Sequence, residues 1–146
     1  MAIQRTSHIV WEGNLARGNG RISADTGAFT DLGYSLATRI GNPEGKTSPE
    51  ELLAAAYGGC TVMSIAGQLT NAGTPAERLE GSATVTLDEV DGKNTVTRAR
   101  LHVRGTIPGI EEGAWRTAVE NGEAGCPFGR LFRAAGVQIE VEAELT

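Results

Sequence analysis

Apolar and polar residues alternate with a period of two in several short stretches of this chain, a pattern typical of β-strands with one buried face. In the first third, segments rich in Gly, Asp and Asn interrupt the alternation. We therefore predict a small antiparallel meander, with strands around Ile3–Trp11, Arg21–Ala24 and Tyr34–Ile40.

Two further alternating stretches flank the dipeptide Asp91-Gly92, which favours a tight turn between paired strands. They predict a hairpin of strands at Gly81–Val90 and Asn94–Thr106. A last alternating segment, Val137–Glu142, predicts a closing strand.

Between the meander and the hairpin, the periodicity changes to that of a helix. Ser48-Pro49-Glu50-Glu51 combines a capping residue, a proline at the first helical position and the acidic residue of a capping box. From Leu52 to Leu69 the residues are apolar or small almost all round, without Lys or Arg, so we expect a buried helix. Two shorter helices are predicted at Glu111–Ala124 and Pro127–Ala134, and the fold class is α+β.

The length and net charge of the chain limit the number of domains and the classes of partner that we expect. A chain of 146 residues without repeats or a long linker predicts a single domain over residues 1–146. A net charge of −5 argues against a nucleic acid or an anionic membrane as partner. There is no continuous run of about 18 apolar residues and no charged start followed by an apolar signal core, so we expect a cytoplasmic protein.

The two cysteines are the main candidates for chemistry. Cys60 lies deep in the predicted buried helix, after Gly58-Gly59, although each glycine costs about 1 kcal/mol of helix propensity. Small residues there let another backbone or a substrate approach the sulfur, yet a buried cysteine often serves only as packing. Cys126 precedes Pro127 and is predicted to cap a helix, where the dipole and free amides stabilise a thiolate. The same residue could also be a cap without function.

A metal site is the main rival use of these atoms. It would combine Cys60, Cys126, His8 and His102, but the paired spacings of zinc sites are absent. The two histidines fall in predicted strands, where structural roles are common. No dinucleotide, phosphate-binding-loop or nucleophile-elbow motif is present, which argues against the commonest dinucleotide-binding, phosphate-binding and hydrolase functions.

The segment S-P-E-E-L-L-A-A-A-Y-G-G-C, Ser48 to Cys60, followed far downstream by Gly-Cys-Pro at 125–127, resembles the OsmC/Ohr family of organic hydroperoxide reductases. The likeness extends to H-I-V-W-E-G-N-L-A-R-G-N-G-R at 8–21, to A-T-R at 37–39 and to T-I-P-G-I at 106–110. These segments are closer to the OsmC branch than to the Ohr branch, and together they cover nearly the whole chain.

This resemblance implies an intertwined homodimer with antiparallel sheets around long central helices. It also implies a peroxidase that protects against oxidative stress: Cys60 attacks the hydroperoxide and becomes a sulfenic acid, and Cys126 resolves it as a disulfide. An external dithiol, typically lipoyl-linked in this family, reduces the disulfide. No metal or flavin is implied.

The family also places an arginine and a glutamate near the reactive sulfur. By motif position these are Arg39 and Glu50, with Arg17 as a second candidate for the arginine. A guanidinium lowers the pKa of a thiol, and a carboxylate can hold it by bidentate pairing. Glu50 could equally stabilise the helix start through the dipole. Ten helical residues separate Glu50 from Cys60 by about 15 Å. If Glu50 serves the cysteine, either the helix breaks at Gly58-Gly59 or an antiparallel partner supplies Glu50, and we predict the second.

A rival from another class is a non-catalytic dimeric module that binds an apolar ligand and uses its cysteines for packing. Phe128-Gly129-Arg130 also departs from the family pattern by placing an aromatic residue and a glycine after the second motif. The substrate preference is therefore open at this stage.

Overall fold

The computed structural model describes residues 1–146 and has the predicted α+β composition. Its elements, in chain order, are β1 (Ser7–Glu12), β2 (Asn19–Ala24), β3 (Leu32–Tyr34), α1 (Leu36–Ile40), α2 (Pro49–Asn71), β4 (Arg78–Val90), β5 (Lys93–Thr106), α3 (Glu112–Gly125), α4 (Pro127–Ala134) and β6 (Gln138–Leu145). The chain divides into two compact units, Met1–Pro49 and Glu50–Thr146.

The first unit contains an antiparallel sheet in the order β1-β2-β3, as the meander predicts. The predicted strand Tyr34–Ile40 is wrong beyond its first residue, because the chain turns into α1. Ser35 caps this helix: its hydroxyl accepts the Thr38 amide at 3.1 Å, and the Thr38 hydroxyl accepts the Ser35 amide at 3.1 Å. This reciprocal capping box outweighs the weak alternation of the segment.

The second unit contains a sheet in the order β4-β5-β6. The antiparallel β4–β5 hairpin turns at Asp91 and Gly92, both with positive φ (52° and 73°), as a type I′ turn requires. The closing strand β6 differs from the antiparallel expectation, since it joins β5 in parallel. Helices α3 and α4 lie between β5 and β6 in the chain and form the crossover that a parallel pair needs.

The core of the second unit lies between one face of this sheet and the helices. Alternate residues of β5 enter it, and α2, α3 and α4 each contribute apolar side chains; the largest buried members are Tyr57, Ile65, Leu69, Leu101, Val103, Trp115 and Phe132. The opposite face of β5 carries arginines that pair with glutamates of β6, including Arg100 with Glu140 at 3.0 Å.

Helix α2 is continuous over 23 residues, so the helix break considered at Gly58-Gly59 does not occur. Within this one chain the helix is buried on a single face rather than all round, and Met63 on the other face is 74% exposed. By length and hydropathy alone, α2 is also apolar enough to cross a bilayer, and 28% of its most apolar 18-residue stretch is buried. Core helices of globular proteins meet the same criterion, which makes it weak evidence for a membrane span.

Candidate active site

Cys60 lies in the middle of α2 and is partly exposed. The two glycines before it have different surroundings. A Cβ on Gly58 would come within 2.8 Å of the Ala83 Cβ, so this glycine allows α2 to pack closely on β4. Nothing lies within 4 Å of a Cβ built on Gly59. Packing within the chain therefore explains Gly58, whereas Gly59 leaves open space next to Cys60.

Cys126 lies between α3 and α4 and is the N-cap of α4, with Pro127 in the first turn, as predicted. The carbonyl oxygen of Cys126 accepts the Arg130 amide at 2.9 Å, which is the first hydrogen bond of the helix. The thiol is fully buried, with 0% of the residue exposed. The cap geometry holds this sulfur against the middle of α2.

The fold brings the two cysteines together. The Thr61 hydroxyl, on the residue after Cys60, lies 3.3 Å from the Sγ atom of Cys126, although 65 residues separate them in the chain. Each thiol is also close enough to contribute to the pKa of the other. Both are free thiols in this structure. Two sulfurs that interact in this way form a candidate dithiol centre.

The environments of the thiols push their pKa values in opposite directions. Burial raises the pKa of Cys60, and the neighbouring Cys126 raises it further against a small lowering by the Phe128 amide. For Cys126, burial acts to raise the pKa, but the Thr61 hydroxyl, the Gly129 amide, Cys60 and the Phe128 amide together outweigh it and lower the pKa. Both amides belong to the first turn of α4, where free N–H groups stabilise a thiolate.

An ion pair between a buried carboxylate and a half-exposed arginine links α3 to α4. Glu123, in the last turn of α3, is only 4% exposed and pairs with Arg133 in the last turn of α4. The Glu123 carbonyl accepts the Cys126 amide at 3.1 Å. A Cβ on Gly129 would approach that carbonyl oxygen to 2.8 Å, so a glycine is needed for this close approach. Neither residue of this pair was predicted from the sequence.

Tyr57, one helical turn before Thr61, forms an aromatic wall of the site and packs on Phe132 with ring centroids 5.1 Å apart. Burial, followed by the charge of Cys126, raises the pKa of Tyr57 to about 12, against lowering by Arg133 and Thr61. The Tyr57 hydroxyl has no hydrogen-bond partner within the chain.

The other candidates from the sequence belong to other parts of the chain. Glu50 is in the first turn of α2, so the continuous helix separates it from Cys60 by about 15 Å along the axis. Arg39 is in the last turn of α1, and Arg17 lies in the turn between β1 and β2; both belong to the first unit.

The histidines weighed as metal ligands each pair with one carboxylate. His8 lies 3.2 Å from Asp25, and His102 lies 3.2 Å from Glu144. No group of three or more His, Cys, Asp or Glu side chains is arranged to hold a metal ion. The dithiol centre is therefore the main candidate for chemistry.

Comparison with known proteins identifies the family. The family described as OsmC-like protein matches residues 41–142. The peroxiredoxin OsmC of Escherichia coli (strain K12) is 31% identical over 134 residues, covering 92% of this chain and 93% of the relative. The solved organic hydroperoxide resistance protein OsmC of Legionella pneumophila superposes with a TM-score of 0.71 at 20% identity, covering 100% and 99% of the two chains. For OhrB of Bacillus subtilis, an organic hydroperoxide resistance protein, the TM-score is 0.65 at 20% identity, covering 97% and 98%. With the matching fold and near full-length similarity, this chain belongs to the OsmC family.

Proposed function

We propose that this chain is a cysteine-based peroxidase that reduces organic hydroperoxides to alcohols. The observation that carries the proposal is the interacting pair Cys60 and Cys126, which the packing of α4 on α2 brings together. The substrate class comes from the family: the Escherichia coli relative is named a peroxiredoxin, and two solved relatives are named organic hydroperoxide resistance proteins.

Cys60 is the peroxidatic residue in this proposal because it is partly open, whereas Cys126 is fully buried. The Cys60 thiolate attacks the terminal oxygen of the hydroperoxide. A sulfur–oxygen bond forms, the O–O bond breaks, and the leaving alkoxide takes up a proton to become the alcohol. Cys60 is then a sulfenic acid, the reversible first stage of cysteine oxidation.

Cys126 is the resolving residue. Its thiolate supplies an electron pair to the Cys60 sulfur, so that a disulfide forms and the sulfur–oxygen bond breaks. The departing hydroxide takes up a proton and leaves as water. An external dithiol, which we expect to be lipoyl-linked, then returns both cysteines to thiols by exchange.

Cys60 needs an activator, because burial and its neighbour raise its pKa. We assign that role to Arg39, held by Glu50. Since Glu50 is about 15 Å along the same helix, the carboxylate is supplied by the α2 helix of an antiparallel partner. The exposed apolar face of α2 supports such a homodimer, as does a cleft of about 480 Å³ whose mostly apolar lining includes Gly59 and Met63.

A mass measurement tests the proposal. The reduced protein is treated with one equivalent of tert-butyl hydroperoxide, and the expected product has lost two hydrogens and no longer reacts with an alkylating agent. Cys60→Ser and Cys126→Ser each prevent this loss, and Cys60→Ser abolishes turnover with a dithiol. A non-catalytic module for an apolar ligand predicts instead no disulfide and slow, similar alkylation of both thiols. That outcome, or full turnover by Cys60→Ser, contradicts the peroxidase.

A further inference from the structure

Thr61 has a polar side chain at a buried position where an apolar side chain would pack equally well. It is fully buried on the inner face of α2, where a valine has nearly the same shape. Its hydroxyl oxygen lies 2.8 Å from the carbonyl oxygen of Tyr57 and 3.3 Å from the Cys126 sulfur. A hydroxyl has one proton, so it can donate to only one of these acceptors at a time.

The protonation of Cys126 decides which acceptor receives that proton. A neutral thiol can donate its own proton to the Thr61 oxygen while the hydroxyl donates to Tyr57. A thiolate can only accept, which favours rotation of the hydroxyl towards the sulfur. The Tyr57 carbonyl loses little by this rotation, because in a continuous helix it also accepts the Thr61 amide.

Thr70 shows that the hydrogen bond to the helix carbonyl is not specific to the site. On the same helix, its exposed hydroxyl donates to the Ala66 carbonyl at 2.8 Å, and this hydrogen bond involves no sulfur. The two threonines thus share the local geometry and differ in the thiol next to Thr61.

We propose that Thr61 is a catalytic residue of the resolving step: its hydroxyl turns from the Tyr57 carbonyl to the Cys126 sulfur and stabilises the thiolate that attacks the Cys60 sulfenic acid. This inference rests on the proposed function. In that step the disulfide forms, the sulfur–oxygen bond breaks, and hydroxide leaves and is protonated to water. The lowered pKa of Cys126 agrees with it, because the Thr61 hydroxyl is the first among the groups that lower this pKa.

Rapid quenching and mass analysis after one equivalent of tert-butyl hydroperoxide give the rate of disulfide formation at a series of pH values. At pH values below the Cys126 pKa, Thr61→Val is expected to slow this step about tenfold and to move its midpoint to higher pH by about one unit. Thr61→Ser keeps the hydroxyl and is expected to restore most of the rate. Thr70→Val is the matched control and is expected to retain the wild-type midpoint.

A longer-lived sulfenic acid gives a second readout. With excess peroxide, Thr61→Val is expected to accumulate Cys60 sulfinic acid faster than Thr61→Ser does. Should the valine variant not fold, Thr61→Ala removes the same hydroxyl and takes its place.

The inference is overturned if Thr61→Val keeps the wild-type resolving rate and midpoint while the wild-type protein forms its disulfide. It is also overturned if Thr61→Ser is as slow as Thr61→Val, since packing would then explain the loss. A wild-type protein that forms no disulfide with peroxide overturns the proposed function as well, which separates the two failures.

Discussion

The middle of α2 and the start of α4 each present one cysteine, in contrasting environments. Cys60 is partly open, has free space beside Gly59, and has a raised pKa. Cys126 is fully buried yet has a lowered pKa, because a hydroxyl and two amides face its sulfur. Burial alone predicts a raised pKa for both thiols, so the difference comes from the hydrogen-bond donors around them.

This contrast separates two tasks. All the groups that stabilise the Cys126 thiolate belong to one compact unit of one chain. The proposed resolving role needs such groups, because this buried thiol must ionise without help from solvent. The environment of Cys60 provides access but little stabilisation for its anion. The proposal therefore assigns the activation of Cys60 to groups on other elements, Arg39 and the Glu50 of a partner chain.

The largest effect on the reaction with peroxide is expected from replacing one of the two cysteines, Cys126. Cys126→Ser abolishes the disulfide, so oxidation by one equivalent of peroxide stops at the Cys60 sulfenic acid. Because Cys126 contributes to the raised pKa of Cys60 while burial remains, the titration of Cys60 moves to lower pH. Trapping the sulfenic acid with a dimedone-type reagent and following alkylation against pH measure both effects. An unchanged Cys60 titration contradicts the mutual influence of the thiols.

The next effect concerns the activation of Cys60 from outside its own helix. Arg39→Gln is expected to lower kcat/KM for tert-butyl hydroperoxide about a hundredfold, because one fixed charge near the reacting atoms is lost. Arg17→Gln is the matched control variant and is expected to lower kcat/KM much less. If Arg17→Gln gives the large loss instead, the arginine has been misassigned.

Mixed dimers show which chain supplies Glu50. Glu50→Gln and Cys60→Ser chains are each expected to be nearly inactive alone. If Glu50 acts across the dimer, subunit exchange creates one intact site in each mixed dimer and recovers about one quarter of wild-type activity. If it acts within its own chain, mixing recovers nothing.

The smallest effect is expected from changing the Glu123–Arg133 ion pair, which links α3 to α4. Glu123→Gln removes the buried charge that pairs with Arg133 and is expected to lower the free energy of unfolding by about 1–3 kcal/mol. Since the pair ties the last turn of α3 to the last turn of α4, its loss is expected to loosen α4 and weaken the contacts of the Phe128 and Gly129 amides with the Cys126 sulfur, so that the pKa of Cys126 rises towards that of Cys60. Urea unfolding and thiol titration measure the two results. The exposed Glu120→Gln, one turn earlier, should change stability by less than about 0.5 kcal/mol. Equal effects of the two variants contradict a special role for Glu123.

Local signals predicted most of the fold. The proline start of α2, the Asp91-Gly92 turn and the Pro127 start of α4 act through neighbouring residues, and all three appear where expected. Helix α1 was missed because an alternating pattern hid the capping box of Ser35 and Thr38. The parallel pairing of β6 depends on how the crossover packs, which strand periodicity does not record.

The site was predictable to a lesser degree. Cys126 was identified as a cap because Pro127 follows it directly. Thr61 and Glu123 were missed, since each acts on a residue or helix that only tertiary packing brings near. A threonine directly after a cysteine in an apolar helix, and a glutamate before Gly-Cys-Pro, are the signals that could have drawn attention to them.

The complete burial of Cys126 also bears on how the proposed disulfide is reopened. An incoming dithiol can reach only the Cys60 sulfur, so Cys126 must be the leaving group. A thiol with a lowered pKa leaves faster, and the amides at the start of α4 and the Thr61 hydroxyl receive the charge as it departs. The reductant is thus expected to be captured as a mixed disulfide with Cys60, which peptide mapping of a trapped intermediate can verify. The groups that make Cys126 a nucleophile during disulfide formation thus also make it the leaving group when the disulfide is reduced.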